Sequence, residues 1–264
     1  MVENTFNNKK SVLYIILAGI FITNAITAEI IGVKIFSLEQ LLNTNPVQIN
    51  FFNLYYLDFN LTAGVLIWPI VFVTTDIINE YFGKEGVKKI SIFTCILIAY
   101  VFIILWLATI LPPAKFWQEI NAKDVMGNAI NINAAYATIF RQGAGIIVGS
   151  LTAFLVGQIL DVYVFHFIRK YTGEKYIWLR ATGSTLVSQL VDSFIVLFVA
   201  FYLFGGAQSW KLSMVLSVGL INYIYKFLVA VAMTPILYIA HSIIDKYLGI
   251  SKSKEIIEEA NKSY

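Results

Sequence analysis

Residues 74–83, TTDIINEYFG, place Asp76 and Glu80 four residues apart at the end of an almost wholly apolar run that begins near Leu61. On a helix this spacing puts both carboxylates on one face, one turn apart, with Thr75 and Asn79 alongside. Such a pair can accept donors from a ligand, hold a cation or share a proton. The plainer alternative is that Glu80 only marks the membrane interface ahead of Gly83 and Lys84. Pro69, in the middle of the run, removes a backbone donor and is expected to open the helix toward a cavity.

Further polar residues recur at helical spacing. Arg180, Ser184, Ser188 and Asp192 follow one another at intervals of four, with Gln189 beside them, and draw a stripe suited to lining a binding cavity. Asn222 and Lys226 lie one turn apart ahead of an expected kink at Pro235, and Lys226 is the natural counter-ion for Asp76 or Asp192. Asn24 and Thr27 add neutral hydrogen-bonding groups. Trp68, Phe72, Tyr81, Trp178 and Tyr223 are rings able to stack on a flat ligand, although membrane-interface anchoring is the usual role for Trp and Tyr. Arg141, Gly145, Gly149, Ala153, Gly157 and Asp161 also recur every four residues, and here the small residues point to close helix packing. Arg141 and Asp161 stand about 30 Å apart on such a helix, too far to pair, so Arg141, next to Gln142, needs another partner or a wet vestibule. Gln158 and Asp161 lie toward the opposite end.

The elements that position these groups follow from composition. Of the 264 residues, 58% are hydrophobic, 15% aromatic and 13% charged, which no water-soluble surface accommodates. Six apolar runs, about 12–33, 61–82, 88–111, 134–167, 177–204 and 212–243, reach the roughly 20 residues needed to cross a bilayer. The chain is therefore expected to be all-α, a single polytopic membrane bundle of six helices over residues 1–264, surrounded by lipid. The fourth run exceeds what a bilayer requires, which implies tilt or protrusion. A charged group at membrane depth costs about 2.5–3.5 kcal/mol even on lenient scales, so the intramembrane residues above are the functional candidates.

Thirteen of the 19 basic residues flank the spans on one side and four on the other, with Arg141 and Lys226 inside spans. Basic residues stay on the cytoplasmic side, so both termini are expected there, as an even number of spans requires. The first run has the basic start of a secretory signal but is too long for one. Outside the spans, SLEQLL suggests an amphipathic turn, VQINFFNLYYLDF an interfacial belt or short strand, and residues 112–133 an external loop. The single Cys95 forms no internal disulfide, and the net charge of +3 reflects cytoplasmic loops, not a nucleic-acid surface.

Catalysis finds little support. His166 and His241 lack a second His at metal-ligand spacing, and ATGSTL lacks the glycine that follows a nucleophilic serine in intramembrane proteases. No phosphate loop or dinucleotide fingerprint occurs, and no cofactor or metal is implied.

NAITAEIIGVK, AGVLIWPIVFVTTDIINEYFGKEGVKK and LRATGSTLVSQLVDS together resemble the queuosine precursor transporter family, over residues 12–243. The Asp-Ile-x-Asn-Glu-x-x-Gly run followed by basic residues is the most specific element. The resemblance implies a six-helix protein of the bacterial cytoplasmic membrane that imports 7-cyano-7-deazaguanine and 7-aminomethyl-7-deazaguanine, planar precursors of a modified tRNA base. The family is also distantly similar to substrate-binding subunits of energy-coupling-factor vitamin importers, the alternative reading. A deazaguanine presents two adjacent donors and one carbonyl. A carboxylate from Asp76 or Glu80 suits the donors, and Gln189, Asn222 or Lys226 suits the carbonyl. Asp192 suits an aminomethyl cation, and the candidate site also includes Asn24, Thr27, Asn79, Arg141, Arg180, Ser184 and Ser188. The glycine ridge of the fourth span offers a homodimer face.

Overall fold

A computed structural model describes residues 9–46, 49–51, 55–141, 144–173, 175–204 and 209–262. Helix α1 (Lys9–Ile31) shows why these sequences fold as they do. Leu13, Leu17, Phe21, Ala25 and Ala28, spaced by three or four, are buried, yet Ile15, Ile16 and Ile20 on the remaining face are exposed. A helix that is apolar all round is stable only with lipid outside it. Five stretches among the described residues are long and apolar enough to cross a membrane: Lys9–Ile31, Trp68–Ile110, Ile132–Thr172, Ile177–Leu203 and Leu212–Leu248.

The second stretch is a helix, α3 (Trp68–Ile110), of 43 residues, about 65 Å if straight and twice a bilayer. It is not straight. Gly83 inside it has φ 67° and ψ −172°, a conformation open essentially to glycine alone. The Oγ1 of Thr75 and the Oγ of Ser91 both donate to Oε1 of Gln158 at 3.4 Å, although a straight helix would hold them about 24 Å apart. The two arms, before and after Gly83, therefore fold back on each other as a hairpin. Gly83→Ala is expected to cost about 1–3 kcal/mol through the strained φ, read as a lower unfolding midpoint of the detergent-purified protein. An unchanged midpoint would mean that the turn tolerates a side chain.

Several expectations shift. The run at 61–82 starts as strand β4 (Asn60–Thr62) and a 3₁₀ turn (Ala63–Leu66), and its α-helix begins only at Trp68. Pro69 thus sits in the first helical turn, where its missing N–H leaves no bond unmade, and opens no helix in mid-span. The run at 134–167 is two helices, α5 (Ile132–Phe140) and α6 (Ala144–Thr172), broken at Arg141, and Gln142 lies outside the described residues. Arg141 therefore does not continue the small-residue ladder. Helix α7 (Ile177–Leu197) widens into a π-type turn (Phe198–Leu203), and α8 (Leu212–Leu248) runs through Pro235 without a break.

The ladder itself packs as expected. Any Cβ on Gly145 would stand 2.4 Å from Phe204, and one on Gly149 would stand 3.1 Å from the Val196 carbonyl oxygen, so α6 and α7 touch nearly backbone to backbone. That contact covers the ridge within one chain, so it is not left open as a homodimer face. Outside the bundle, β1 (Ile35–Ser37) pairs antiparallel with β4, and β2 (Ile49–Phe51) with β3 (Tyr55–Leu57). Helix α2 (Leu38–Leu41) is capped by the Ser37 hydroxyl, and α4 (Lys115–Ile120) lies in the loop before α5. The C-terminal helix α9 (Ile250–Lys262) buries Ser253, Ile256 and Ala260, and Glu259 pairs with Lys10 at 2.7 Å. The start of α1 and the end of the chain therefore meet on one side of the bundle.

Candidate functional site

Near the turn at Gly83, Glu80 is only 3% exposed and both of its oxygens are taken. Arg180 grips it with two bonds, Nη2 to Oε1 at 2.6 Å and Nε to Oε2 at 3.2 Å, and Nη1 of Arg169 adds a third at 3.2 Å. The remaining Arg180 nitrogen donates to the Gly173 carbonyl at 2.8 Å, tying α7 to the end of α6. This triad joins the first arm of α3 to α6 and α7. It leaves Glu80 and Arg180, both candidates for ligand contact, without a free face.

Asp76, one turn away on the same arm, is left open. Its Oδ1 is buried and finds no hydrogen-bond partner among the described residues, nor do either of the amide atoms of Asn79 or Oδ2 of Asp161. Buried polar groups without partners are rare and costly, about 1–3 kcal/mol each, so three in one neighbourhood mark a place prepared for something else. Asp161 comes from α6 and receives the Ser188 hydroxyl at 3.3 Å. Gln158, one turn earlier, ties this helix to both arms of the hairpin.

Asp76 opens into a narrow cleft of about 20 Å³, where three elements converge: Phe72 and Val73 from α3, Ala181, Thr182 and Thr185 from α7, and Met233 and Thr234 among residues of α8. That is far below the roughly 300–1,000 Å³ of small-ligand pockets, so a flat ligand fits only once the three helices part. The lining is mostly apolar with a few hydroxyls and one carboxylate, and Phe72 supplies an aromatic wall stacked against Trp68 at 6.0 Å. Thr182 and Thr234 hydroxyls meet across it at 3.1 Å. The chemistry available is recognition of a flat molecule with adjacent donors.

A second polar group lies elsewhere in the bundle. Lys226 of α8 pairs with Asp192 of α7, and Ser150 of α6 donates to Glu29 of α1, which is close enough to Asp192 to feel its charge. Lys226 thus serves Asp192 and not Asp76. Gln189 is buried, and Asn222 is half-buried. Ser184 bonds the Ala181 carbonyl of its own helix at 3.1 Å. Asn24 and Thr27 bond the carbonyls of Ile20 and Thr23 in their own helix, which spends the Thr27 donor and one of the two Asn24 donors on α1. Arg141, exposed at the end of α5, donates to Thr109 at 3.1 Å, its partner at the rim.

Tyr81 stacks on His241 at 5.2 Å, and its hydroxyl meets His241 Nδ1 and Asp245 Oδ1, each at 3.1 Å. Ser253 of α9 bonds Asp245 and Tyr81, not the histidine, so serine, histidine and aspartate here do not form a nucleophile and its base. Among the described residues, no group of three or more His, Cys, Asp or Glu gathers as a metal site. Asp161, Gln158, Arg169 and Glu29 are the members that sequence reasoning did not place in the site. An acidic residue at membrane depth was the available signal for Glu29 and Asp161.

The family model described as "Putative vitamin uptake transporter" matches residues 62–240. The "Probable queuosine precursor transporter" of Bacillus subtilis (strain 168) is 32% identical over 191 residues, covering 70% of this chain and 75% of that protein. The "Queuosine precursor transporter" of Escherichia coli (strain K12) is 28% identical over 179 residues, covering 66% and 70%. No solved structure gives a significant match. The matched region runs from the start of the hairpin through α8 and so contains the whole Asp76 cleft; by family model and by its likeness to these relatives, the chain belongs to the queuosine precursor transporter family.

Proposed function

We propose that the chain imports 7-deazaguanine precursors of queuosine across the cytoplasmic membrane of a bacterium, crossing it six times with both termini inside. The doubled-back α3 supplies the sixth crossing, and the Lys10–Glu259 contact supports termini on one side. The bias of basic residues toward that side supports its being the cytoplasm.

The observation that carries the reading is the bare carboxylate of Asp76 in a cleft shared by three helices. The ring N–H and exocyclic amine of 7-cyano-7-deazaguanine donate to the Asp76 oxygens, a charge-assisted pair of bonds. Phe72 covers the ring face, and the hydroxyl of Thr182, Thr185 or Thr234 donates to the carbonyl. Helices rocking about the cleft then expose it to one side at a time.

Counterflow tests this. Proteoliposomes holding only the purified chain and loaded with unlabelled 7-cyano-7-deazaguanine should take up the labelled compound, with competition by the aminomethyl form and none by biotin or thiamin. Exchange that needs added energising subunits would favour the substrate-capture alternative. Competition by a vitamin instead of a deazaguanine would overturn the substrate assignment.

A further inference from the structure

The interior charges near the Gly83 turn do not balance. Glu80, Asp76 and Asp161 bring three carboxylates, while Arg169 and Arg180 bring two guanidiniums. Both guanidiniums are engaged by Glu80, and among the described residues no Lys or Arg pairs with Asp76 or Asp161. Of the other groups nearby, Asp245 accepts from Tyr81 and Ser253, Lys84 stands over the Tyr163 ring, and His166 lies near Arg169 and Arg180, whose charges disfavour a third cation beside them; Asp245 and Lys84 offset each other in the count. Lys226 on α8 is held by Asp192, no charged residue of α8 lines the cleft, and Glu29 on α1 is bonded by Ser150. His241 faces Tyr81 through Nδ1, and its buried Nε2 has no acceptor for a second N–H. With His241 neutral and all the carboxylates ionised, the cluster carries one uncompensated negative charge.

That charge sits where it is least tolerable. Asp76 is 7% exposed and Asp161 5%, and each has an oxygen with no partner. Thr75, next to Asp76, donates to Gln158, one turn before Asp161, at 3.4 Å, so α3 and α6 meet at this level and the two carboxylates are near enough to repel. An excess charge at membrane depth is costly and calls for a partner. One monovalent cation held between the two carboxylates cancels it.

We propose that Asp76 and Asp161, brought together from α3 and α6, form the binding site of a single coupling cation, a proton or a sodium ion, that crosses with the substrate. The proposal rests on the import reading above. The free oxygens of Asp76 and Asp161, with the Ser188 hydroxyl on Asp161, are all oxygen donors, suited to a hard cation and equally able to share a proton. The cluster is then neutral when substrate and cation are both bound, which ties the crossing of one to the crossing of the other.

The test uses the full chain in proteoliposomes with labelled 7-cyano-7-deazaguanine. Counterflow, uptake driven by an inward proton gradient, and uptake driven by an inward sodium gradient are compared. A tenfold gradient of the coupled ion should raise accumulation about tenfold, one ion moving per substrate. In Asp161→Asn the ratio of gradient-driven uptake to counterflow should fall to that seen without a gradient. The gradient that works tells proton from sodium. Counterflow with no response to either gradient overturns the cation site while leaving import intact. If wild type shows no counterflow, the import reading fails, and the site is judged without substrate. A carboxyl C=O infrared band that titrates in wild type and is lost in Asp161→Asn, or thermal stabilisation by NaCl over choline chloride that is lost in that variant, upholds it. Neither signal overturns it.

Discussion

Replacing Glu80 with glutamine is expected to destabilise the bundle by about 3 kcal/mol or more, because it leaves two buried guanidiniums without the charge that holds them. Arg180 is 1% exposed and Arg169 8%, so neither reaches water for relief. The triad ties the first arm of α3 to α6 and α7, so its loss should loosen three helices together. The measurement is the unfolding midpoint of detergent-purified protein against wild type, with ligand binding followed in parallel. A structural role gives a large drop in the midpoint. A midpoint unchanged alongside lost binding would show that Glu80 contacts the substrate and that the triad opens in the loaded state.

Asp76→Asn should do the opposite. The substitution is nearly isosteric and removes a buried charge that no cation pairs with, so the midpoint should hold or rise. Binding should fall by about 100-fold or more, since two hydrogen bonds to an ionised acceptor, each worth about 1.5–3 kcal/mol, are lost or reversed. The asparagine carbonyl accepts one donor, and its amide then faces the other. A deazapurine lacking the exocyclic amine separates this from general damage. It should bind wild type more weakly than the full substrate, and bind the variant no more weakly than the full substrate does. Equal affinity of wild type and Asp76→Asn for 7-cyano-7-deazaguanine, measured by calorimetry, would remove Asp76 from the site.

The contrast between two carboxylates one turn apart shows where local sequence stops being informative. Helical spacing places Asp76 and Glu80 on one face, and the structure agrees, yet it does not say which of them a neighbouring helix will neutralise. Arg180 was legible as part of a polar stripe on α7. Its reach to Glu80 depends on how α7 is rotated and how closely it approaches α3. Likewise Lys226 had two equally spaced candidates for a partner, and the relative rotation of α7 and α8 gave it Asp192. Asp161 was visible at the end of the small-residue ladder and was assigned to packing. The same ladder, by letting α6 approach α7, delivers Asp161 to the hydroxyl of Ser188.

Hydropathy and charge alone were enough to establish a helical membrane chain, the approximate positions of its long apolar segments and the polar residues that lipid would not accept. These properties depend on residue type and on neighbours within a turn or two, which a linear chain records directly. The fold-back at Gly83 was readable as a short connection between apolar runs, but the convergence of both arms on Gln158 was not. Which carboxylate is spent on arginine, which pairs with lysine and which stays bare was decided only by packing. Those outcomes turn on ångström-scale approach and rotation between helices far apart in the chain, and no local pattern encodes them.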